Sequence, residues 1–165
     1  MHHLFRRILC PVDFSESSIL ALRTAVDLAV QNQASLLLLN VAPRPLGESD
    51  VVPVALDPYP FHEDRARTEL ERIGREIVDG KAPYDTKVDV GDPATGILEA
   101  IPQLEIDLVV MGTHGRKGLG HLILGSVAER VVRESAVPVL TVRQAATAAV
   151  AKPKRSKKSK SRDAS

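Results

Sequence analysis

Residues 111–127 read MGTHGRKGLGHLILGSV and lie between a short apolar run and a helical pattern. The glycines follow the spacing Gly112-x2-Gly115-x9-Gly125, and Ser126 comes next. Glycine allows a positive φ and lets loop N–H groups approach an anion closely, while a helix start adds further N–H groups and the positive end of its dipole. The segment therefore predicts a phosphate-binding loop that ends at a helix N-terminus.

The sequence on either side of this segment alternates between strand and helix patterns. Apolar runs of strand length occupy 7–12, 36–41, 107–111 and 138–142, and 86–90 alternates like a half-exposed edge strand. Helical patterns begin at 15, include 66–77, begin again at 92 and cover 126–134. Five strands and four helices in strict alternation predict one α/β domain, a doubly wound, Rossmann-like parallel sheet with helices on both faces.

Several single residues mark where these elements begin and end. Ser15 is predicted to cap the first helix, and Gly80 to close the second. Five prolines between Pro43 and Pro60 predict a loop, which would suit a lid. Pro102 is predicted to end or kink the third helix.

The composition fits a globular domain followed by a basic tail. The chain has 165 residues, 44% of them apolar, which is enough for a real core. From Lys152 onward the chain has seven of its 22 Lys and Arg residues and one of its 21 Asp and Glu residues. The residues before Lys152 therefore include 15 basic and 20 acidic side chains, a net charge of −5. We expect a domain over 1–143 and a disordered tail over 144–165. An acidic partner or nucleic acid would bind the tail, and a tail that only aids solubility is an equally supported alternative.

The lengths of the apolar runs indicate where in the cell the protein is expected. None approaches the roughly 18 residues that a membrane span needs, and the first residues do not read as a secretory signal. We therefore expect a cytoplasmic protein with no membrane partner. Cys10 is the single cysteine and lies in an apolar run, so it is predicted to be a buried structural thiol.

Candidate ligand-binding residues follow the first, second and fourth strands. In open α/β sheets a ligand lies at the carboxyl ends of the strands, where the strand order reverses, so neighbouring first and fourth strands would face one crevice. Asp13 has the chemistry to bind ribose hydroxyls, and a helix cap is an equally supported alternative. Pro11, Val12 and Val41 suit an adenine ring, although core packing explains each of them singly at least as well.

The glycine-rich segment carries further candidates. Taken alone, such a loop is more often a plain turn, and the phosphate prediction depends on its convergence with Asp13. Arg116 and Lys117 would add positive charge nearby. His114 has no second His, Cys or carboxylate at a ligand-like spacing, so it is predicted to present its backbone or an imidazole donor to a phosphate rather than to bind a metal.

Three segments together closely resemble the ATP-binding branch of the universal stress protein family. They are ILCPVD at 8–13, the glycine spacing described above with DLVVM before it, and SAVPVLTV at 135–142. The resemblance covers about residues 5–143. It implies the strand order 3-2-1-4-5, ATP bound with Mg²⁺ or Mn²⁺, and a homodimer.

The resemblance also assigns individual roles. It implies adenine beside Val12 and Val41, ribose at Asp13, and phosphates on Gly112, Gly115, Gly125, Ser126 and the adjoining backbone. The family often carries a hydroxyl residue where this chain has Val12 and Ala128, a departure that bears on affinity more than on fold. The complete predicted site is Pro11, Val12, Asp13, Val41, Met111, Gly112, His114, Gly115, Arg116, Gly125, Ser126 and Val127, with no catalytic and no metal-ligating residue.

A nucleotide-binding regulator is the function that these features favour, with at most a slow ATPase activity. The chain has no Walker motif and no nucleophile elbow. The alternative is an adenine-nucleotide-dependent enzyme on the same scaffold, of the adenylating type, or a flavin-linked electron carrier. An adenylating enzyme would want a Ser-Gly-Gly-x-Asp-Ser loop after the first strand, where this chain reads PVDFSE; a flavodoxin-like phosphate loop is missing there too.

The last predicted strand suggests how two copies would meet. In the strand order 3-2-1-4-5 it lies at an edge, and Pro138–Val142 carries no charge. Exposed apolar edges are usually protected. We therefore expect a homodimer that pairs through this strand.

Overall fold

The computed structural model describes residues 4–42, 59–113 and 124–143. The strands are β1 (Arg7–Pro11), β2 (Ser35–Ala42), β3 (Tyr84–Val90), β4 (Leu108–Gly112) and β5 (Val139–Val142). The helices are α1 (Glu16–Asn32), α2 (Tyr59–Ile73), α3 (Pro93–Gln103) and α4 (Ser126–Glu134), and α2 continues into one π-helical turn over Gly74–Val78. The predicted alternation of five strands and four helices is confirmed.

All five strands are parallel, in the order β3-β2-β1-β4-β5. The chain therefore builds the sheet outward from β1 to β3, crosses back to β4 beside β1, and finishes at β5 on the other edge. This is the doubly wound order 3-2-1-4-5 that the sequence predicts. It places the reversal of strand order between β1 and β4.

Two core clusters lie on opposite faces of the sheet. Successive strand residues point to opposite faces, so Ile8 and Cys10 pack with α1 and α2, whereas Leu9 packs with α3 and α4. The helix residues in the first cluster include Leu22, Ala25, Val26, Ala29 and Leu70, and those in the second include Ile97, Ile101 and Val131. Fully burying a large aliphatic side chain contributes about 1.5–3 kcal/mol, so helices on both faces stabilise the central strands.

The predicted element boundaries hold with local corrections. Ser15 caps α1, as predicted, by accepting from the Ser18 N–H. Pro60 was predicted to lie in a loop, but it is the second residue of α2, because a helix's first turn has no N–H partner for proline to lose. Pro102 lies inside α3, one residue before its end. Gly80 follows α2 with φ 73°, the left-handed conformation that glycine adopts readily.

Cys10 is buried in the first cluster, as predicted, with 0% of its surface exposed. Burial raises the pKa of its thiol to about 12, because a thiolate is poorly stabilised away from water. The cysteine is therefore structural and unreactive.

Several predictions concern residues outside the described ranges. They are the proline-rich loop over 43–58, the loop residues His114, Gly115, Arg116 and Lys117, and the basic tail over 144–165. Within the described ranges, no helix combines the length and the apolar content needed to cross a bilayer.

Candidate functional site

The candidate site lies where β1 and β4 end side by side. Ile8 pairs with Leu108 and Leu9 with Val109, so both strands run in the same direction and finish at the same edge of the sheet. The residues that follow them are the β1–α1 turn (residues 12–15) and Thr113. Because strand order reverses between these two strands, their ends form the kind of crevice in which doubly wound sheets bind ligands.

Hydrogen bonds fix the β1–α1 turn. Oδ1 of Asp13 accepts from the Ser15 N–H at 3.0 Å and from the Ser15 hydroxyl at 2.5 Å. Oγ of Ser15 in turn accepts from the Ser18 N–H at 3.2 Å. Ser15 is therefore the helix cap, and Asp13, for which a cap was the alternative reading, instead holds the capping residue in place.

Phe14 lies between these two residues with φ 66°. A bulky side chain rarely adopts a positive φ, because Cβ then crowds the backbone, and such strained residues occur preferentially at functional sites. Phe14 packs against the first core cluster. This packing and the hydrogen bonds around it keep the turn in a conformation that the chain alone would disfavour.

Val12 is held in place on both sides by β2. Its N–H donates to the Leu39 carbonyl at 2.8 Å, and its carbonyl accepts from Nδ2 of Asn40 at 2.7 Å. The Val12 side chain is 1% exposed and belongs to the first core cluster. A ligand in the crevice would therefore meet the backbone of Val12 rather than its methyl groups.

Asn40 is a residue that the sequence analysis missed. It is 5% exposed and interrupts the apolar run 36–41. A polar residue inside a buried strand is the signal that could have found it, because a buried amide needs a hydrogen-bond partner. Its partner, Val12, lies 28 positions earlier and is not evident from the sequence.

Val41 and Pro11, the other predicted adenine neighbours, are half-buried. Val41 packs directly against α3 at Gly96, where a Cβ atom would lie 2.9 Å from Cγ2 of Val41. Gly96 therefore allows α3 to lie close to β2 at the edge of the sheet where the crevice opens. Gly96 was also missed, because the sequence does not indicate which strand a glycine within a helical pattern will contact.

Gly112 ends β4 directly beneath the first turn of α1. A Cβ atom there would overlap Oγ of Ser17 and lie 2.8 Å from the Ser17 carbonyl carbon. A positive φ was the reason predicted for glycine in the glycine-rich segment, but among the described glycines only Gly80 and Gly91 have one. At Gly112 the lack of a side chain serves close helix packing instead.

The start of α4 is tied to the end of β4. Gly125 is the N-cap residue, with φ −61° and no side-chain cap hydrogen bond, and its N–H donates to the Thr113 carbonyl at 2.7 Å. That N–H is therefore engaged in closing the loop. The first N–H groups within a helix have no intrahelical partner, and in α4 these belong to Ser126, Val127 and Ala128, since the Glu129 N–H is the one that donates to the Gly125 carbonyl.

Met111, another predicted residue, has its side chain buried in the second core cluster, so a ligand in the crevice would meet its backbone rather than its side chain. The structure thus brings Pro11, Val12, Asp13, Met111, Gly112, Gly125, Ser126 and Val127 to the ends of β1 and β4, with Val41 on β2 beside them. His114, Gly115 and Arg116 lie outside the described residues.

An ion pair joins the start of α3 to the middle of α4, the two helices on the second face. Oδ1 of Asp92, the N-cap of α3, accepts from the Thr95 N–H at 2.9 Å and from Arg130 of α4 at 2.7 Å. The hydrogen bond from the Thr95 hydroxyl, with that from its N–H, lowers the pKa of Asp92, because these donors favour the ionised carboxyl. The contact fixes α3 relative to α4 near the crevice.

No group of three or more His, Cys, Asp or Glu side chains that could hold a metal ion occurs among the described residues. Such a group of protein ligands is therefore not found among the described residues at the ends of β1 and β4. Phosphate oxygens are suitable ligands for Mg²⁺, which commonly keeps one or two protein contacts and several waters.

Residues 4–143 match the model of the universal stress protein family. Universal stress protein YxiE of Bacillus subtilis is 32% identical over 149 residues, covering 85% of this chain and 100% of its own length.

Solved structures of the same family share the fold. Universal stress protein UspA from Lactobacillus plantarum superposes with a TM-score of 0.77 at 26% identity, over 86% of this chain and 100% of its own. A universal stress protein solved in complex with cAMP superposes with a TM-score of 0.61 at 22% identity, over 85% and 98%.

Proposed function

Because the chain belongs to the universal stress protein family, we propose that it is a stress-response regulator that binds ATP at the ends of β1 and β4. Nucleotide occupancy of this crevice would control its interaction with a partner. The proposal is for binding rather than turnover, with a slow ATPase as the upper limit of its activity.

The single observation that carries the proposal is the hydrogen bond from the Gly125 N–H to the Thr113 carbonyl, 2.7 Å long. It fixes the N-terminus of α4 at the end of β4, next to the strand that leads into Asp13. A helix N-terminus attracts phosphate through its unpaired N–H groups and its dipole. Gly125, with no side chain, leaves that approach open.

Each part of ATP has a suitable partner among the predicted residues. The adenine would lie against Val41 and Pro11 with the backbone of Val12, and the ribose hydroxyls would donate to Asp13. The phosphates would accept from the N–H groups of Ser126 and Val127, together with Gly115 and its neighbours. Mg²⁺ or Mn²⁺ would be held mainly by the phosphates.

Adenine nucleotide is the ligand class that the family relationship supports, since the relative solved with cAMP has this fold. ATP is the member of that class that the resemblance of the glycine spacing implies. Mass spectrometry of small molecules released on denaturation would identify the nucleotide that the purified protein carries.

The test by substitution is Asp13→Asn, measured by titration calorimetry with ATP. Asparagine keeps an oxygen for the Ser15 bonds but loses the charge, and a hydrogen bond to a charged group contributes about 1.5–3 kcal/mol. We therefore expect affinity to fall by about 10- to 100-fold. The matched control is Asp27→Asn, which removes the same charge from the exposed side of α1 and should leave affinity unchanged.

Two results would count against the proposal. Failure of the wild-type protein to bind ATP, ADP or AMP would overturn nucleotide binding itself. Equal ATP affinity for the Asp13→Asn variant and the wild type would remove Asp13 from the site while leaving the phosphate contacts to be tested.

We further propose that two copies form a homodimer through β5. Leu140 on this edge strand is 40% exposed, and Val139–Val142 contains no charged residue. The opposite edge, β3, carries Asp85, Lys87 and Asp89, and charged residues of this kind discourage pairing between sheets.

A further inference from the structure

We propose that Asn40 is a positioning residue of the nucleotide site, which holds the β1–α1 turn, and with it Asp13, in the binding conformation. The inference rests on the proposed function, because it concerns the same crevice. Asn40 acts through the Val12 carbonyl and does not itself touch the nucleotide.

The burial of Asn40 is the first step of the argument. The side chain is 5% exposed in a strand whose preceding four residues are all leucine. Burying an amide costs free energy unless hydrogen bonds compensate. A leucine of similar size at this position would avoid that cost, so the amide serves a contact that an apolar side chain cannot make.

That contact is the 2.7 Å hydrogen bond from Nδ2 to the Val12 carbonyl. A carbonyl oxygen can only accept, so the group that faces it must be a donor. With the Val12 N–H bonded to Leu39, β2 holds Val12 at both its amide and its carbonyl, beyond the last residue of β1. The strand is in effect extended by one residue, up to the point where Asp13 begins the turn.

The turn beyond Val12 has a strained backbone, and such a conformation persists only where neighbouring contacts hold it. Phe14 has φ 66°, which an unanchored chain would relax. The hydrogen bonds that Ser15 donates to Asp13 and that the Ser18 N–H donates to Ser15 fix the turn on the α1 side. Asn40 fixes it on the sheet side, and Asp13 lies between the two anchors.

The experiment replaces Asn40 with Asp, which has nearly the same shape. The ionised carboxylate cannot donate to the Val12 carbonyl and would repel it, whereas the protonated form can donate through its hydroxyl. Burial raises a carboxyl pKa by up to about 3–5 units above its ordinary value of about 3.9, to an upper limit of about 7–9. The variant would therefore carry the donor at about pH 5.5 and lack it at about pH 9.5.

We expect the Asn40→Asp variant to bind ATP at least about tenfold more weakly than the wild type at the higher pH, and to recover toward wild-type affinity at the lower. The affinity of the variant is divided by that of the wild type at each pH. This ratio removes the effects that protonation of ATP, or of groups present in both proteins, has on binding. A residue that only stabilises the strand would change the melting temperature without this recovery. A ratio that is the same at both pH values would overturn the inference.

A second variant, Asn40→Leu, keeps the inference testable if the first does not fold. It should stay folded and bind ATP more weakly at every pH. The matched control is Leu36→Ala, at the other end of β2, which should lower the melting temperature and leave ATP affinity unchanged. Wild-type affinity in Asn40→Leu would refute the positioning role.

These measurements separate this inference from the proposed function. If the wild type binds no adenine nucleotide, the proposed function and this inference fall together. If the wild type binds and both Asn40 variants bind equally well, only the inference falls.

Discussion

At the scale of single residues, three of the described residues other than glycine have a positive backbone φ. They are Phe14, Gln33 and Glu105. Each lies at the end or beginning of an element. Phe14 precedes α1 in the candidate site, whereas Gln33 is the C-cap of α1 with φ 53°. The two positions differ in what the conformation achieves, since Phe14 shapes a crevice and Gln33 only ends a helix.

Gln33→Gly is therefore expected to stabilise the protein. Gln33 is exposed, so its replacement removes little packing, and glycine is the preferred residue for a left-handed C-cap. The expected gain is about 0.5–1 kcal/mol, and thermal unfolding would measure it. The matched control is Gln31→Gly, two residues earlier within α1, which should destabilise by a similar amount; a loss in both variants would contradict the argument.

Single residues also show what sequence can predict at this scale. Ser15 was predicted correctly as a cap because its partner, Ser18, lies three positions away. Asp13 was predicted for the site from its place after β1, but its bonds to Ser15 were not. Asn40 was missed because the carbonyl that it binds is brought to it by the pairing of β1 with β2, which no local pattern specifies.

At the scale of elements, Asp92 at the start of α3 pairs with Arg130 in the middle of α4. Asp92 both caps α3 and receives the guanidinium of Arg130, and both groups are exposed enough for water to screen the ion pair. The cap is therefore expected to contribute most of the stability that Asp92 provides.

Asp92→Ala should lower the free energy of unfolding by about 0.5–2 kcal/mol at neutral pH. The pKa of Asp92 is held below its ordinary value of 3.8, so its contribution is complete above that value and is lost as the pH falls through the lower folded-state pKa. The gap between wild type and variant should accordingly narrow in acid below about pH 4. Denaturant unfolding across this range measures it, with Glu99→Ala on the exposed side of α3 as control; a gap independent of pH would be the contrary result.

Element boundaries were predictable where one local signal dominates. Apolar runs located four of the strands and an alternating pattern located β3, and Ser126–Glu134 was predicted as the range of α4. Pro60 was predicted to lie in a loop because the density of prolines around it does not distinguish a loop from a helix start, where proline is tolerated. The close packing of Gly112 against α1 was not predicted, because its neighbour, Ser17, belongs to another element.

At the scale of the whole molecule, the two edges of the sheet differ in character. Lys87 and Asp89 on β3 form an ion pair at 2.8 Å, whereas Leu140 on β5 is exposed and apolar. An uncharged edge strand is a template for pairing with another chain. The β5 edge is thus the one suited to a second copy.

Leu140→Lys is expected to convert the proposed dimer into a monomer, because a buried unpaired ammonium at the contact is costly. Size-exclusion chromatography with light scattering would measure the mass of each protein. Val30→Lys is the control, since Val30 is also exposed but lies near the end of α1. A monomeric wild type would refute the dimer, and an unchanged mass for Leu140→Lys would place the contact elsewhere.

The architecture as a whole was the most predictable level. Strict alternation of strands and helices leaves few topologies, and the family resemblance selected the order 3-2-1-4-5, which the structure confirms. The alternate assignment of Ile8 and Leu9 to opposite faces follows from strand geometry alone. The sequence does not give the distances between elements. The contacts of Gly96 with Val41 and of Arg130 with Asp92 are therefore seen only in the structure.

The low reactivity of the Cys10 thiol has a practical use. Because the chain's only native thiol is buried and its pKa is about 12, it should not react with maleimides or spin-label reagents at neutral pH. One cysteine introduced at an exposed position on α4, such as Glu129, would then be the sole attachment point for a fluorophore. The arrival of a ligand could be followed optically in a protein that keeps its own sulfur.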